Sequence, residues 1–186
     1  MVIGVAIDES VDDVRQWTDG IEFPVLIDQQ HSVSELYAIS NVPTVIWIDE
    51  DNRIVRPNGV AFGTDTVTAF TGIESKPHLD LIRRWVRNGE EPETANVQID
   101  DLSDDEVLAR LHFRVAAHAR RTGDAATAAV HFERAGELAP HDWTVRRATM
   151  PLVGEDPFGE KFFVMYQEWE AAGRPYHGIP GDKSGV

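Results

Sequence analysis

The segment that leaves the chain least freedom is TVIWIDEDNRIV, Thr44 to Val55. Thr44 to Ile48 is a β-branched and aromatic run too short for a helix. Asp49-Glu50-Asp51-Asn52 is a polar turn, and Arg53 to Val55 resumes the extended pattern, so a β-hairpin is expected. What precedes it must then be read as parts that pack against a hairpin. Val2 to Ile7 (VIGVAI) is a continuous apolar run that suits a strand buried on both faces of a parallel sheet. Asp8 and Ser10 offer N-caps to a helix over Val11 to Trp17 with Val11, Val14 and Trp17 in phase. Phe23 to Ile27 (FPVLI) reads as a second strand. Asp28 and Ser32 lead into a helix over Val33 to Ile39, with Val33, Leu36 and Tyr37 on one face. Strand-then-helix alternation predicts an α/β fold. Asn58-Gly59 signals a turn, and Asp65 to Val86 is helical in pattern with Asn88-Gly89 as its C-cap. The first unit therefore spans residues 1–89.

Residues Glu90 to Glu106 hold eight acidic residues, no basic ones and Pro92, the composition of a solvated linker, here 90–103. Ser103 and Glu106 form a capping box, so a helix begins there. The unit 104–178 is helical throughout in pattern. Leu108, Leu111 and Val115 give one apolar face, Gly123-Asp124 makes a turn, and a second helix carries Ala128, Phe132, Ala135 and Leu138 before Pro140 stops it. Glycine at the turn, small residue, aromatic, small residue and closing proline resemble the second half of a tetratricopeptide repeat. The first-helix signature departs from that pattern, with His112 in place of the usual tryptophan and Ala116 in place of glycine. One helical hairpin is expected rather than an array, because solenoids need about three repeats to bury a core. A further helix over Phe158 to Ala172 supplies Phe162, Phe163, Tyr166 and Trp169, which with Trp143 read as core. Residues 179–186 are expected to be a disordered tail.

Composition closes off several functions. The formal net charge is -15, so a polyanion such as nucleic acid is repelled. No cysteine is present, which removes disulfides, thiolate metal sites and a cysteine nucleophile. The apolar run at Val2 to Ile7 has no basic region ahead of it and is far shorter than the roughly 20 residues that span a bilayer, which reads as a cytoplasmic protein with no membrane span. No two of the seven histidines stand at i, i+4, and the acidic pairs lack the alternating ligands of a calcium loop. There is no glycine-rich phosphate loop, and Ser10 and Ser32 read as helix caps rather than nucleophiles. Neither a metal site nor a cofactor is expected, and no residue is assigned a catalytic role.

Taken in order, "VIGVAIDES", "VRQW" and "FPVLIDQQHSVSELYAISNVPTVIWIDEDNRIV" resemble the TlpA-like redoxins, thiol-disulfide oxidoreductases of the thioredoxin superfamily. The resemblance implies a thioredoxin-like mixed sheet and, at family level, redox chemistry on protein thiols in cell redox homeostasis. It implies a cis Val42-Pro43 bond and a loop, Val42, Pro43 and Thr44, that pairs with an extended substrate peptide. The family also carries a central strand and a Cys-x-x-Cys helix ahead of the position matched by Val2. This chain has no such unit, so the sequence predicts a truncated, N-terminally incomplete thioredoxin-like domain. The implied partner is a thiol or disulfide protein. The alternative is a non-catalytic module that binds a peptide or protein through the Val42-Pro43 loop and the helical unit. A homodimer that fills the gap left by the missing strand is a third expectation.

Overall fold

The computed structural model describes residues 1–60, 63–65, 68 and 74–179. Among these the protein is a mixed α/β chain of two small sheets and seven helices. The strands are β1 (Gly4–Ala6), β2 (Val25–Ile27), β3 (Thr44–Ile48) and β4 (Ile54–Val60). The helices are α1 (Val11–Arg15), α2 (Ser32–Leu36), α3 (Ser75–Asn88), α4 (Asp104–Arg121), α5 (Ala125–Leu138), α6 (Trp143–Leu152) and α7 (Glu160–Ala171). Of the expected disordered tail 179–186, Ile179 is instead buried and its amide bonds Asn58 O; residues 180–186 and most of the pattern from Thr66 to Ile73 lie outside the described residues.

β1 and β2 pair in parallel with Val5 opposite Leu26, and β3 and β4 pair antiparallel with Thr44 opposite Val60. The two sheets are not joined to each other among the described residues. This overturns the reading of Val2 to Ile7 as a strand buried on both faces. β1 is three residues long, and Val2, Ile3 and Val5 are exposed. Among the described residues it has one hydrogen-bonded neighbour, and Val5 and Leu26 stay exposed on one face. The flanking helices are shorter than their patterns. α1 buries only Val14 and leaves Val11 and Trp17 exposed, while α2 buries Ser34 and leaves Leu36 exposed.

The hairpin forms as expected, but its second strand runs on through Asn58-Gly59, which is strand and not turn. The Asn58 side chain turns instead to the carbonyls of Tyr37 and Ala38. A Cβ at Gly59 would stand 2.1 Å from Arg56 Nη1, so the glycine leaves that buried guanidinium its place. Arg56 lies over the Trp47 ring at 5.6 Å, and Trp47 stacks on Trp85 of α3 at 5.0 Å. Gly89 closes α3 at φ 70, the left-handed cap that only glycine adopts without cost.

The helical unit holds the larger core. Ser103 accepts from Glu106 N while the Glu106 carboxylate accepts from Ser103 N, the capping box that starts α4. The face of α4 that packs on α5 and α6 is Phe113, Ala116 and Ala119, against Ala128, Phe132, Ala135 and Val145. Leu108, Leu111 and Val115, read as the apolar face, are exposed instead. Alanines let the helix axes approach closely, so the small residues are buried and the large aliphatics are left outside. A second cluster joins Trp143, Met150, Met165 and Trp169, with Phe162 and Tyr166 beside it and Phe163 exposed. No helix among the described residues is long and apolar enough to cross a membrane.

Candidate functional site

The candidate peptide loop follows α2, and its construction begins with the carbonyls that the end of that short helix leaves unpaired. From Tyr37 to Asn41 five consecutive carbonyls each accept a hydrogen bond. Asn58 Nδ2 on β4 donates to Tyr37 O at 2.6 Å and to Ala38 O at 2.9 Å. Arg110 Nη2 on α4 donates to Ile39 O, which also accepts from Thr144 Oγ1 at 3.4 Å. The Trp143 amide at the start of α6 donates to Ser40 O at 2.9 Å. Thr44 Oγ1 donates to Asn41 O at 2.7 Å, closing the loop onto the first residue of β3. Ala38 holds φ 49, a left-handed turn that this set of bonds maintains. From the other side the His177 amide donates to Ser40 Oγ at 2.9 Å, and the Ile179 amide donates to Asn58 O at 3.0 Å.

The pattern stops at Val42. Among the described residues neither its N–H nor its C=O has a hydrogen-bond partner. Val42 and Thr44 are half-buried, Pro43 is exposed, and the Val42–Pro43 peptide bond is cis. A backbone held on its approach and, among the described residues, unengaged at its tip, two residues before the start of β3, is suited to strand addition.

Behind the loop lies a polar core that sequence reasoning missed. Arg110 and Asp142 are 0% and 1% exposed, with Nη2 and Oδ2 2.8 Å apart. Asp142 is also the N-cap of α6, its Oδ1 accepting from Thr144 N at 2.9 Å. Burial raises the Asp142 carboxyl above its usual range, against the pull of Arg110 and Thr144. His31, 2% exposed and at φ 53, stacks on Phe113 of α4 at 4.4 Å, with Nε2 3.1 Å from Ile7 O. Burial pushes its pKa down; Arg110 and Arg114 add to the effect, and Ile7 O and Asp28 oppose it. Arg110 Nε and Nη1 and His31 Nδ1 have no partner among the described residues. The signal available in sequence was Asp142 two residues ahead of Thr144, a capping pattern, but nothing there announces a buried arginine.

The nearest arrangement to a catalytic dyad is His177 Nε2, 2.7 Å from Glu106 Oε1, with Ser103 Oγ 2.7 Å from Glu106 Oε2. The carboxylate stands between imidazole and hydroxyl, so the ring cannot serve as base to the serine. Burial raises the Glu106 carboxyl, and bonds from Ser103 and His177 outweigh it and hold it below the usual range. The arrangement caps a helix and straps the segment around His177 across it. A depression of about 310 Å³ opens between Gln98–Asp100 and Arg174–Ile179 rather than at Val42. Strand addition needs an edge and not a cavity, so its position does not bear on the loop. No protein-family model, curated protein or solved structure matches the chain.

Proposed function

We propose that the chain is a thioredoxin-like protein of redoxin type that binds an extended peptide along Val42, Pro43 and Thr44 and carries no thiol of its own. Its part in thiol-disulfide exchange is to present the peptide; the attacking thiol belongs to another molecule. The observation that carries the reading is the contrast within one loop: carbonyls 37 to 41 are all taken, and Val42, two residues before β3, has neither backbone group engaged among the described residues. The order of elements supports it, with a parallel strand pair before the loop and an antiparallel hairpin after it.

The probe is a reduced and alkylated unfolded protein such as α-lactalbumin, which offers extended peptide and no free thiol. On its addition the Val42 amide should become protected from hydrogen exchange, while the Gly20 amide, in an exposed turn, keeps its rate. Val42→Ala retains both backbone groups and should bind within a few-fold of the native chain, while Val42→Pro removes the donor and should not bind. No protection at Val42 under saturating probe would overturn the reading without recourse to a variant. Insulin reduction with dithiothreitol should proceed no faster with the chain present than without it.

A further inference from the structure

The antiparallel packing of α4 on α5 brings together two histidines 19 residues apart in sequence. His112 Nδ1 and His131 Nδ1 are 2.7 Å apart, with ring centroids at 4.8 Å and planes 36° apart. Both side chains are half-buried, open to solvent on one side. One proton at most can lie between two imidazole nitrogens at that distance, so one ring donates and the other accepts. Burial, then the neighbouring His131 and Arg134, push His112 below its usual pKa. At neutral pH it is an uncharged imidazole, the form that binds metal.

We propose that His112 and His131 form a two-imidazole clip for a divalent first-row transition ion. Two nitrogens on one zinc at about 2.0–2.1 Å, in tetrahedral geometry, lie roughly 3.3 Å from each other. The observed pair needs to part by roughly 0.6 Å to reach that spacing, a change that side-chain rotation supplies. Binding requires the ring that carries hydrogen on Nδ1 to move it to Nε2, so two neutral rings release no proton. A protonated ring releases one. Among the described residues no group of three or more His, Asp or Glu could hold an ion, so water completes the coordination and the site stays open. The Arg134 charge opposes the ion and weakens the site without removing either lone pair. The ion would tie α4 to α5 beside a core that Phe113, Phe132 and their alanines already hold, so the fold does not depend on it.

The full chain, stripped with chelator, is titrated at pH 7.5 with Zn²⁺, Ni²⁺ and Cu²⁺, each alone, by calorimetry and by melting temperature. One ion per chain is expected, with affinity rising from Ni²⁺ to Cu²⁺ and falling again at Zn²⁺, and with the melting temperature rising with free metal. His112→Ala and His131→Ala should each weaken binding by roughly tenfold or more, and lowering the pH to 5.5 should weaken it further in the native chain. His118→Ala, on the exposed side of the same helix, should leave it unchanged. Unaltered affinity and stoichiometry in the His112→Ala, His131→Ala double variant would overturn the proposal, as would the absence of binding in the native chain.

Discussion

A fully buried arginine is the residue on which the loop's approach depends. Arg110 Nη2 meets both Ile39 O and Asp142 Oδ2, so losing it removes a loop anchor and strands a carboxylate in the core. Arg110→Met is expected to cost about 3–5 kcal/mol. Burial already pushes the Asp142 carboxyl toward its neutral form, so the pair holds geometry more than it adds stability. Arg110→Met with Asp142→Asn, which keeps a capping oxygen for Thr144, should recover a large part of the loss in urea unfolding. A double variant no more stable than the single one would contradict this account of the pair. His31 makes a second prediction, of opposite electrostatic kind. The unfolded ring takes up its proton near pH 6.5 and the buried ring only at lower pH. Between those values the unfolded chain holds more protons, so stability rises with pH and is lost as pH falls from 6.5 through the folded value. His112 adds a slope of the same sign, so the comparison is between native chain and His31→Phe. Phenylalanine keeps an aromatic partner for Phe113 and cannot titrate; the variant should be less stable at pH 7.5 and lose less between 6.5 and 5. Parallel stability curves for the two proteins would show that His31 does not carry the effect.

At the scale of elements, α4 shows where the sequence was legible and where it was not. Its start at Ser103, its turn at Gly123, the hairpin partner through Phe132 and Ala135, and the strands at Thr44 and Ile54 were all readable, because caps, turns and short-range periodicity are local. The buried face of α4 was not. Counting large aliphatics picks Leu108, Leu111 and Val115, whereas packing chose Phe113, Ala116 and Ala119, because close helix approach rewards small side chains. Arg110 was equally hidden, since its partner Asp142 lies on another helix. The cis bond at Val42-Pro43 follows the resemblance, yet the bonds that hold the loop's approach come from Asn58, Arg110, Trp143 and His177, which lie outside the segment itself. The two faces of α4 give a direct experiment. Leu111→Ser, on the exposed face, should change stability by less than about 0.5 kcal/mol. Ala116→Leu, at 0% exposure, should cost about 1–3 kcal/mol by overpacking, and Phe113→Ala about 3–5 kcal/mol by leaving a cavity. A Leu111→Ser loss as large as that of Phe113→Ala would mean that α4 buries the other face in solution.

Over the whole molecule the charge distribution explains how the two units meet. Residues 1–50 carry ten acidic side chains against one arginine, while α4 carries Arg110, Arg114, Arg120 and Arg121. Arg114 pairs with Glu35 at 2.6 Å and donates to Gln30 O at 2.7 Å, and Arg120 and Arg121 converge on Glu9 at 2.6 and 3.3 Å. The same helix face that supplies Arg110 to the loop therefore docks the helical unit against the acidic α/β unit, with Trp143, His177 and Ile179 adding main-chain bonds to Ser40 and Asn58. Little of the α/β unit's own surface compensates for losing these contacts: β1 and β2 span three residues each, and Val5, Trp17, Phe23, Leu26 and Leu36 stay exposed. Its amides should open only when the helical unit releases it. Native-state hydrogen exchange in increasing urea tests this, because β3 and β4 amides and the core amides of α4 and α5 should merge onto one unfolding free energy with a common dependence on denaturant. Arg110→Met should lower that shared free energy in both groups by the same amount, even though the ion pair itself joins α4 to the start of α6. Separate isotherms for the strands and the helices, or a variant effect confined to the helices, would show two independently stable units and would leave the loop without its support.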